Sequence, residues 1–145
     1  MTIIVDTGVL YADHDRDATR HESAQEALGA VYDGEFGTPY VSDYIYDEAV
    51  TLTLKRGSFP TAKRLGDRLR GVGPYPQVYA MLQVSAAVFD DAVDIFERYG
   101  DQELSFTDAT TVALCRQRDI DAVLSFDGDF DGVVPRTDPE TLAGG

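Results

Sequence analysis

The stretch "MTIIVDTGVLYA" ends a short apolar run, Thr2 to Val5, on a carboxylate at Asp6, followed at once by Thr7 and Gly8. Aspartate is a common turn residue, so one acid past a strand has an ordinary explanation. Three further acids give it a possible purpose. Glu48 has Tyr44, Ile45 and Leu52 as its i−4, i−3 and i+4 neighbours, which places it on the apolar stripe of its helix. An unpaired charge buried there is costly. Glu48 therefore needs a cation, a proton, a basic partner or a wet cleft, or else an edge position from which it reaches solvent. Asp108 closes Ser105-Phe106-Thr107-Asp108, a capping-box pattern that by itself accounts for an acid in a first helical turn. Asp127 follows a second apolar run, Ala122 to Ser125. Four acids brought to one place repel one another unless something neutralises them. Hard divalent cations, Mg²⁺ or Mn²⁺, prefer such oxygen ligands. They also acidify water and stabilise phosphoryl transition states. The chemistry indicated is hydrolysis of a phosphodiester.

For that to happen the elements must carry the acids to one edge. Thr2 to Val5 reads as a strand. Asp17 to Tyr32 reads as an amphipathic helix on Ala24, Ala27, Leu28 and Val31, stopped by Asp33-Gly34. A short strand is expected over Thr38 to Val41. Ser42 then caps a helix to about Arg56, and Ser58 caps another that carries Pro60 in its first turn and ends at Gly71 to Pro74. Val78 to Val84 is β-like, and Ser85 caps a helix through Tyr99. A helix over Thr107 to Arg118 precedes the strand Ala122 to Ser125, and Val133 with Val134 is expected as an edge strand. Helices alternating with short apolar strands predict an α/β fold with a mostly parallel sheet. In such sheets sites form beyond the carboxyl ends of the strands, which is where Asp6 and Asp127 fall.

The 145 residues suit one domain with its own core. The single Cys115 excludes an internal disulfide and a multi-cysteine zinc site; it is expected as a core thiol. No apolar run approaches the roughly 20 residues of a membrane span, and no basic segment leads into an apolar one at the N-terminus. Cytoplasm is the expected location. Asp and Glu number 26 against 12 Lys and Arg, for a formal net charge of −14, and only Lys55 and Lys63 are lysines. Acids spread along the whole chain with so few lysines suit a protein working in concentrated salt, where screening removes self-repulsion. Half of the cations, Lys55, Arg56, Lys63, Arg64, Arg68 and Arg70, fall in one stretch. They are candidates for phosphate contact as well as for a mixed helix surface. His14 and His21 are expected at the surface. Tyr40, Tyr44 and Tyr46 are expected to pack around the start of the Ser42 helix, base stacking being the alternative.

Taken in order, "IIVDTGVLYA", "SDYIYDEAVTL", "LSFTDATTVALC" and "VLSFDGDFDGV" resemble the acidic motifs of PIN-domain ribonucleases, especially the VapC-like toxins of VapBC toxin–antitoxin pairs. The resemblance covers essentially the whole chain. It implies a sheet of four or five parallel strands between helices, and Mg²⁺ or Mn²⁺ held by Asp6, Glu48, Asp108 and Asp127. Asp129 stands at a position often acidic in the family and is a weaker candidate ligand. Thr7 and Ser125 match the small hydroxyl positions beside the first and last acids, Ser125 orienting the last acid or a metal water. RNA as substrate, a small antitoxin as partner and a homodimer are implied as well. A free-standing RNA-processing nuclease and a catalytically silent binding module are the alternatives. Haloacid-dehalogenase-type phosphatases need an acid where Gly8 stands, and receiver domains need a late lysine that is absent after Lys63. If the acidity is an adaptation to salt, the fold should be complete at molar salt and lost as ionic strength falls, followed by circular dichroism; full folding at low ionic strength contradicts it.

Overall fold

The computed structural model describes residues 1–143. Among the described residues are five strands and seven α-helices, in the order β1 (Ile3–Val5), α1 (Thr7–His14), α2 (His21–Tyr32), β2 (Tyr40–Ser42), α3 (Asp43–Arg56), α4 (Phe59–Arg70), β3 (Ala80–Leu82), α5 (Ala86–Arg98), α6 (Phe106–Arg118), β4 (Ala122–Leu124), β5 (Arg136–Thr137) and α7 (Pro139–Ala143). All pairings are parallel, in the order β3-β2-β1-β4-β5. The α/β reading with a mostly parallel sheet holds.

β1 lies at the centre because Ile3, Ile4 and Val5 bury both faces of the strand completely, as parallel sheets covered by helices on both sides require. Its register with β4 is Ile3 to Ala122, Ile4 to Val123 and Val5 to Leu124. The Asp6 N–H continues that ladder by donating to the Leu124 carbonyl at 3.0 Å. The chain runs from β1 outward to β2 and β3, then returns to place β4 on the other side of β1. Beyond the carboxyl ends of β1 and β4 the connections diverge, and a crevice opens there.

Serine caps set the helix starts as the sequence indicates. Ser42, Ser58, Ser85 and Ser105 accept from the N–H groups of Ile45, Thr61, Val88 and Asp108, each cap being worth about 1 kcal/mol. Cys115 is buried in α6, and burial pushes its thiol up to about 12, as a core position dictates. Tyr44 packs on Phe106 at 6.2 Å between ring centroids. No helix among the described residues is long and apolar enough to cross a membrane.

The structure departs from expectation in three places. Residues 7–14, to which the sequence reading gave no element, form α1, and the helix expected from Asp17 starts only at His21. Asp6 caps α1 by its backbone without a side-chain cap bond. The helix is held instead by burial of Thr7, Val9, Leu10 and Ala12, a tertiary effect with no capping signature. His14 and His21 are half-buried rather than at the surface. His14 accepts from Arg68 at 3.0 Å on Nδ1, so Nε2 carries the proton it donates to the Thr61 carbonyl at 2.9 Å. His21 Nδ1 meets the Ala12 carbonyl at 2.8 Å. Both rings tie the end of α1 to its neighbours. Val133 and Val134 are not the edge strand: their N–H groups bond the Phe130 carbonyl in a turn, and β5 follows at Arg136–Thr137 beyond Pro135.

Gly71 ends α4 at φ 65°, with its N–H on the Arg68 carbonyl and the Val72 N–H on the Asp67 carbonyl. A Cβ there would lie 2.6 Å from the Gln77 Cα. Gly71→Ala should therefore cost about 2 kcal/mol or more, read as a lowered denaturant midpoint at unchanged slope.

Candidate active site

Asp6 stands where β1 passes into α1, only 7 % exposed. The Ser125 hydroxyl donates to its Oδ2 at 2.7 Å, while its Oδ1 is buried with no partner, as is Thr7 Oγ1 beside it. Burial, and then the neighbouring Asp108, raise the Asp6 carboxyl to about 7; Glu48 adds to the rise, and the Ser125 hydroxyl and the nearby Thr7 backbone offset part of it.

Ser125, fully buried at the exit of β4, works in two directions. Its hydroxyl donates to Asp6, and its oxygen accepts the Asp127 N–H at 2.9 Å. It thus holds the first acid by its side chain and the last acid by its backbone. Asp127 Oδ1 in turn accepts the Asp129 N–H at 2.8 Å and caps the short turn Gly128–Phe130. Asp129 sits beside Asp127, whose charge raises it, and lies outside the cleft lining.

Asp108 fulfils the capping box: its Oδ2 accepts the Ser105 N–H and its own N–H bonds Ser105 Oγ, both at 3.0 Å. It is nevertheless turned into the same cleft as Asp6. Burial lifts it to about 6, the capping bonds lower it, and Asp127 and Glu48 raise it. Glu48, half-buried on α3, lines that cleft as well, which answers the question posed by its apolar neighbours. The acids singled out in the sequence as Asp6, Glu48, Asp108 and Asp127 therefore share one cleft of about 940 Å³.

The cleft also holds Asp15, Asp17 and Glu103, with Arg20 and Arg56 as its cations. Glu103 enters through a loop residue at φ 60° that has no sequence signature. Tyr11 and Phe126, also in the lining, sit inside quoted motifs but only the fold turns them inward. The basic stretch is divided. Of its six cations, Arg56 lines the cleft. Lys63 pairs with Asp67 at 2.8 Å and Arg68 with Asp13 at 2.9 Å. Arg64 bonds Thr61 Oγ1 and lines, with Arg16, Arg68 and both histidines, a separate hollow of about 610 Å³. Lys55 and Arg70 are exposed outside the cleft lining.

The donor set suits a hard cation in one respect: Asp6 Oδ1 is a buried oxygen with nothing to bond, and burial together with neighbouring carboxylates raises both Asp6 and Asp108. Among the described residues no group of three or more His, Cys, Asp or Glu is arranged to hold a metal ion. The fit is thus to a hydrated ion resting on one or two carboxylates, the usual mode for Mg²⁺.

Carboxyls raised in the native state bind protons that the unfolded chain has released. Between the ordinary value of 3.8 and about 7 for Asp6, stability of the metal-free protein therefore falls as pH rises. Asp6→Asn removes this group's share. Thermal melts of the metal-free variant at pH 8 should show it more stable than wild type by on the order of 1–3 kcal/mol, with a flatter pH dependence; a profile identical to wild type rejects an unpaired buried charge at Asp6.

A family model for the PIN domain matches residues 3–134. Among solved structures the chain is similar to VapC20 of Mycobacterium tuberculosis, a sarcin-ricin loop cleaving toxin, with 26% identity, 89% of this chain and 92% of that chain covered, and a TM-score of 0.78. It shares its fold with FitAcB from Neisseria gonorrhoeae at 19% identity, 95% and 98% coverage, and a TM-score of 0.66. No curated protein matches significantly. With its parallel sheet, its acids gathered at the ends of β1 and β4 and a family model spanning nearly all of its length, the chain belongs to the PIN-domain family and is VapC-like in build.

Proposed function

We propose that this protein is a Mg²⁺- or Mn²⁺-dependent endoribonuclease, the toxin of a type II toxin–antitoxin pair. The observation that carries the reading is the convergence of Asp6, Glu48, Asp108 and Asp127 on one cleft, with Asp6 Oδ1 buried and unbonded. Asp6 and Asp108, raised by burial and by neighbouring carboxylates, are favoured in their ionised form by a nearby cation. When bound, the divalent ion supplies the Lewis acidity that ionises water and offsets charge building on the phosphoryl oxygens. Asp6 and Asp108 would hold it, Asp6 fixed in place by Ser125. Glu48 and Asp127 would bind its waters and position the attacking one. Thr7 Oγ1, buried without a partner, would hydrogen-bond the same shell. Asp129 is a reserve carboxylate behind Asp127.

The substrate proposed is RNA, by likeness to VapC20, which cleaves the sarcin-ricin loop. The proposed partner is a small antitoxin that covers the acidic cleft with basic or apolar residues. A second copy of the chain is proposed on the face of α5, where Phe89 and Phe96 stay exposed around Phe106. A cytoplasmic location and a high-salt medium complete the reading.

Cleavage of RNA at high salt with Mn²⁺, by wild type and by Asp108→Asn, tests it. Wild type should cleave, and the variant should be slower by about 100-fold or more. No activity in wild type, or equal activity in both, overturns the mechanism.

A further inference from the structure

The two arginines of the acidic cleft are each laid over an aromatic ring. The Arg20 guanidinium carbon lies 4.7 Å from the centre of the Phe126 ring, and that of Arg56 lies 5.2 Å from the centre of Tyr11. All four side chains line the cleft. Phe126 stands between Ser125 and Asp127 in the chain, directly against the site. Tyr11 lies one helical turn beyond Thr7, and its hydroxyl is pinned by donating to Asp15 Oδ2 at 2.6 Å. One pair is built from α1 and α3, the other from the segment after β4 and the residue preceding α2.

Neither arginine is committed to a cleft acid. Arg20 approaches Glu140 of α7 at 4.0 Å, with both side chains more than half exposed, a contact worth little. Arg56 has no carboxylate partner within ion-pair distance among the described residues. Carboxylates far outnumber these two cations in the cleft, so the protein's own field opposes a polyanion. A strand that is to stay there needs contacts that do not depend on charge. Stacking of bases on aromatic and guanidinium planes is such a contact, and it requires bases with a free face. A guanidinium already placed over a ring is partly preorganised for it.

We propose that Arg20 on Phe126 and Arg56 on Tyr11 are two stacking platforms that grip the bases flanking the scissile phosphate of unpaired RNA. This rests on the ribonuclease reading above. The platforms determine where the strand is cut by fixing the nucleotides on either side. Bases inside a duplex are covered by their neighbours and are refused.

The test uses an oligoribonucleotide carrying 2-aminopurine, unpaired or annealed to its complement, with Mn²⁺. The double variant Arg20→Lys, Arg56→Lys keeps both charges and loses both planes. For wild type, the unpaired strand should be cleaved at least about 10-fold faster than the duplex, and its emission should be quenched on binding. In the double variant KM for the unpaired strand should rise roughly 5- to 100-fold with kcat little changed, the quenching should be lost, and Mn²⁺ affinity should stay at the wild-type value. A double variant with wild-type KM and quenching, or a wild type that cleaves duplex equally well, overturns the platforms while leaving the nuclease standing. A wild type that neither binds nor cleaves any RNA with Mn²⁺ removes the ribonuclease reading and the platforms with it.

Discussion

The buried carboxylate of Asp6 is the constraint around which the site is arranged. Its Oδ2 takes the Ser125 hydroxyl, and its Oδ1 takes nothing. A fully satisfied carboxylate here would be a structural link between β1 and β4. A half-satisfied one stores unfavourable free energy that a proton, or the cation proposed above, would relieve. Its position cannot relax, because the Asp6 N–H is part of the sheet ladder on Leu124 and its carbonyl begins α1. The most completely buried strand thus delivers an oxygen with no partner.

Around Asp6 the same residues serve the fold and the site together. Asp108 caps α6 and also faces Asp6 across the cleft. Asp127 caps a short turn with one oxygen while its backbone is held by Ser125. Capping fixes the backbone at each acid, so their approach is decided before any ligand arrives. This is preorganisation obtained from local hydrogen bonds. Burial first, and then neighbouring carboxylates held close by the same rigidity, raise Asp6 to about 7 and Asp108 to about 6.

The charge of the chain acquires a second meaning in this setting. A net −14 spread over the surface disfavours polyanions everywhere. Lys63 and Arg68, which the sequence groups with Arg56, have their charge engaged by Asp67 and Asp13. The cations that reach the cleft are Arg20 and Arg56, far apart in the chain yet both resting on rings. In the proposed ribonuclease, sparse and well-placed arginine would replace the broad basic surface that nucleic-acid binding more often uses.

Local chemistry made several features legible from sequence. Apolar runs ending in acids located β1 and β4, serines located four helix starts, and the misplaced polarity of Glu48 signalled a cleft. Each is a statement about neighbours within a few residues, where spacing carries the information. What lies across the chain was not legible in this way. Helix α1 forms because its apolar side is buried by distant elements, the histidines are held by carbonyls of α1 and α4, and β5 depends on pairing with β4 rather than on the more apolar Val133 and Val134. Glu103, Arg20 and Phe126 join the cleft through loops whose direction no local pattern encodes. Sequence by itself determined the α/β class, the acids and their order. Tertiary structure decided which of their oxygens is left unbonded and which cations face them, because burial and partner choice are set by contacts between residues far apart in the chain.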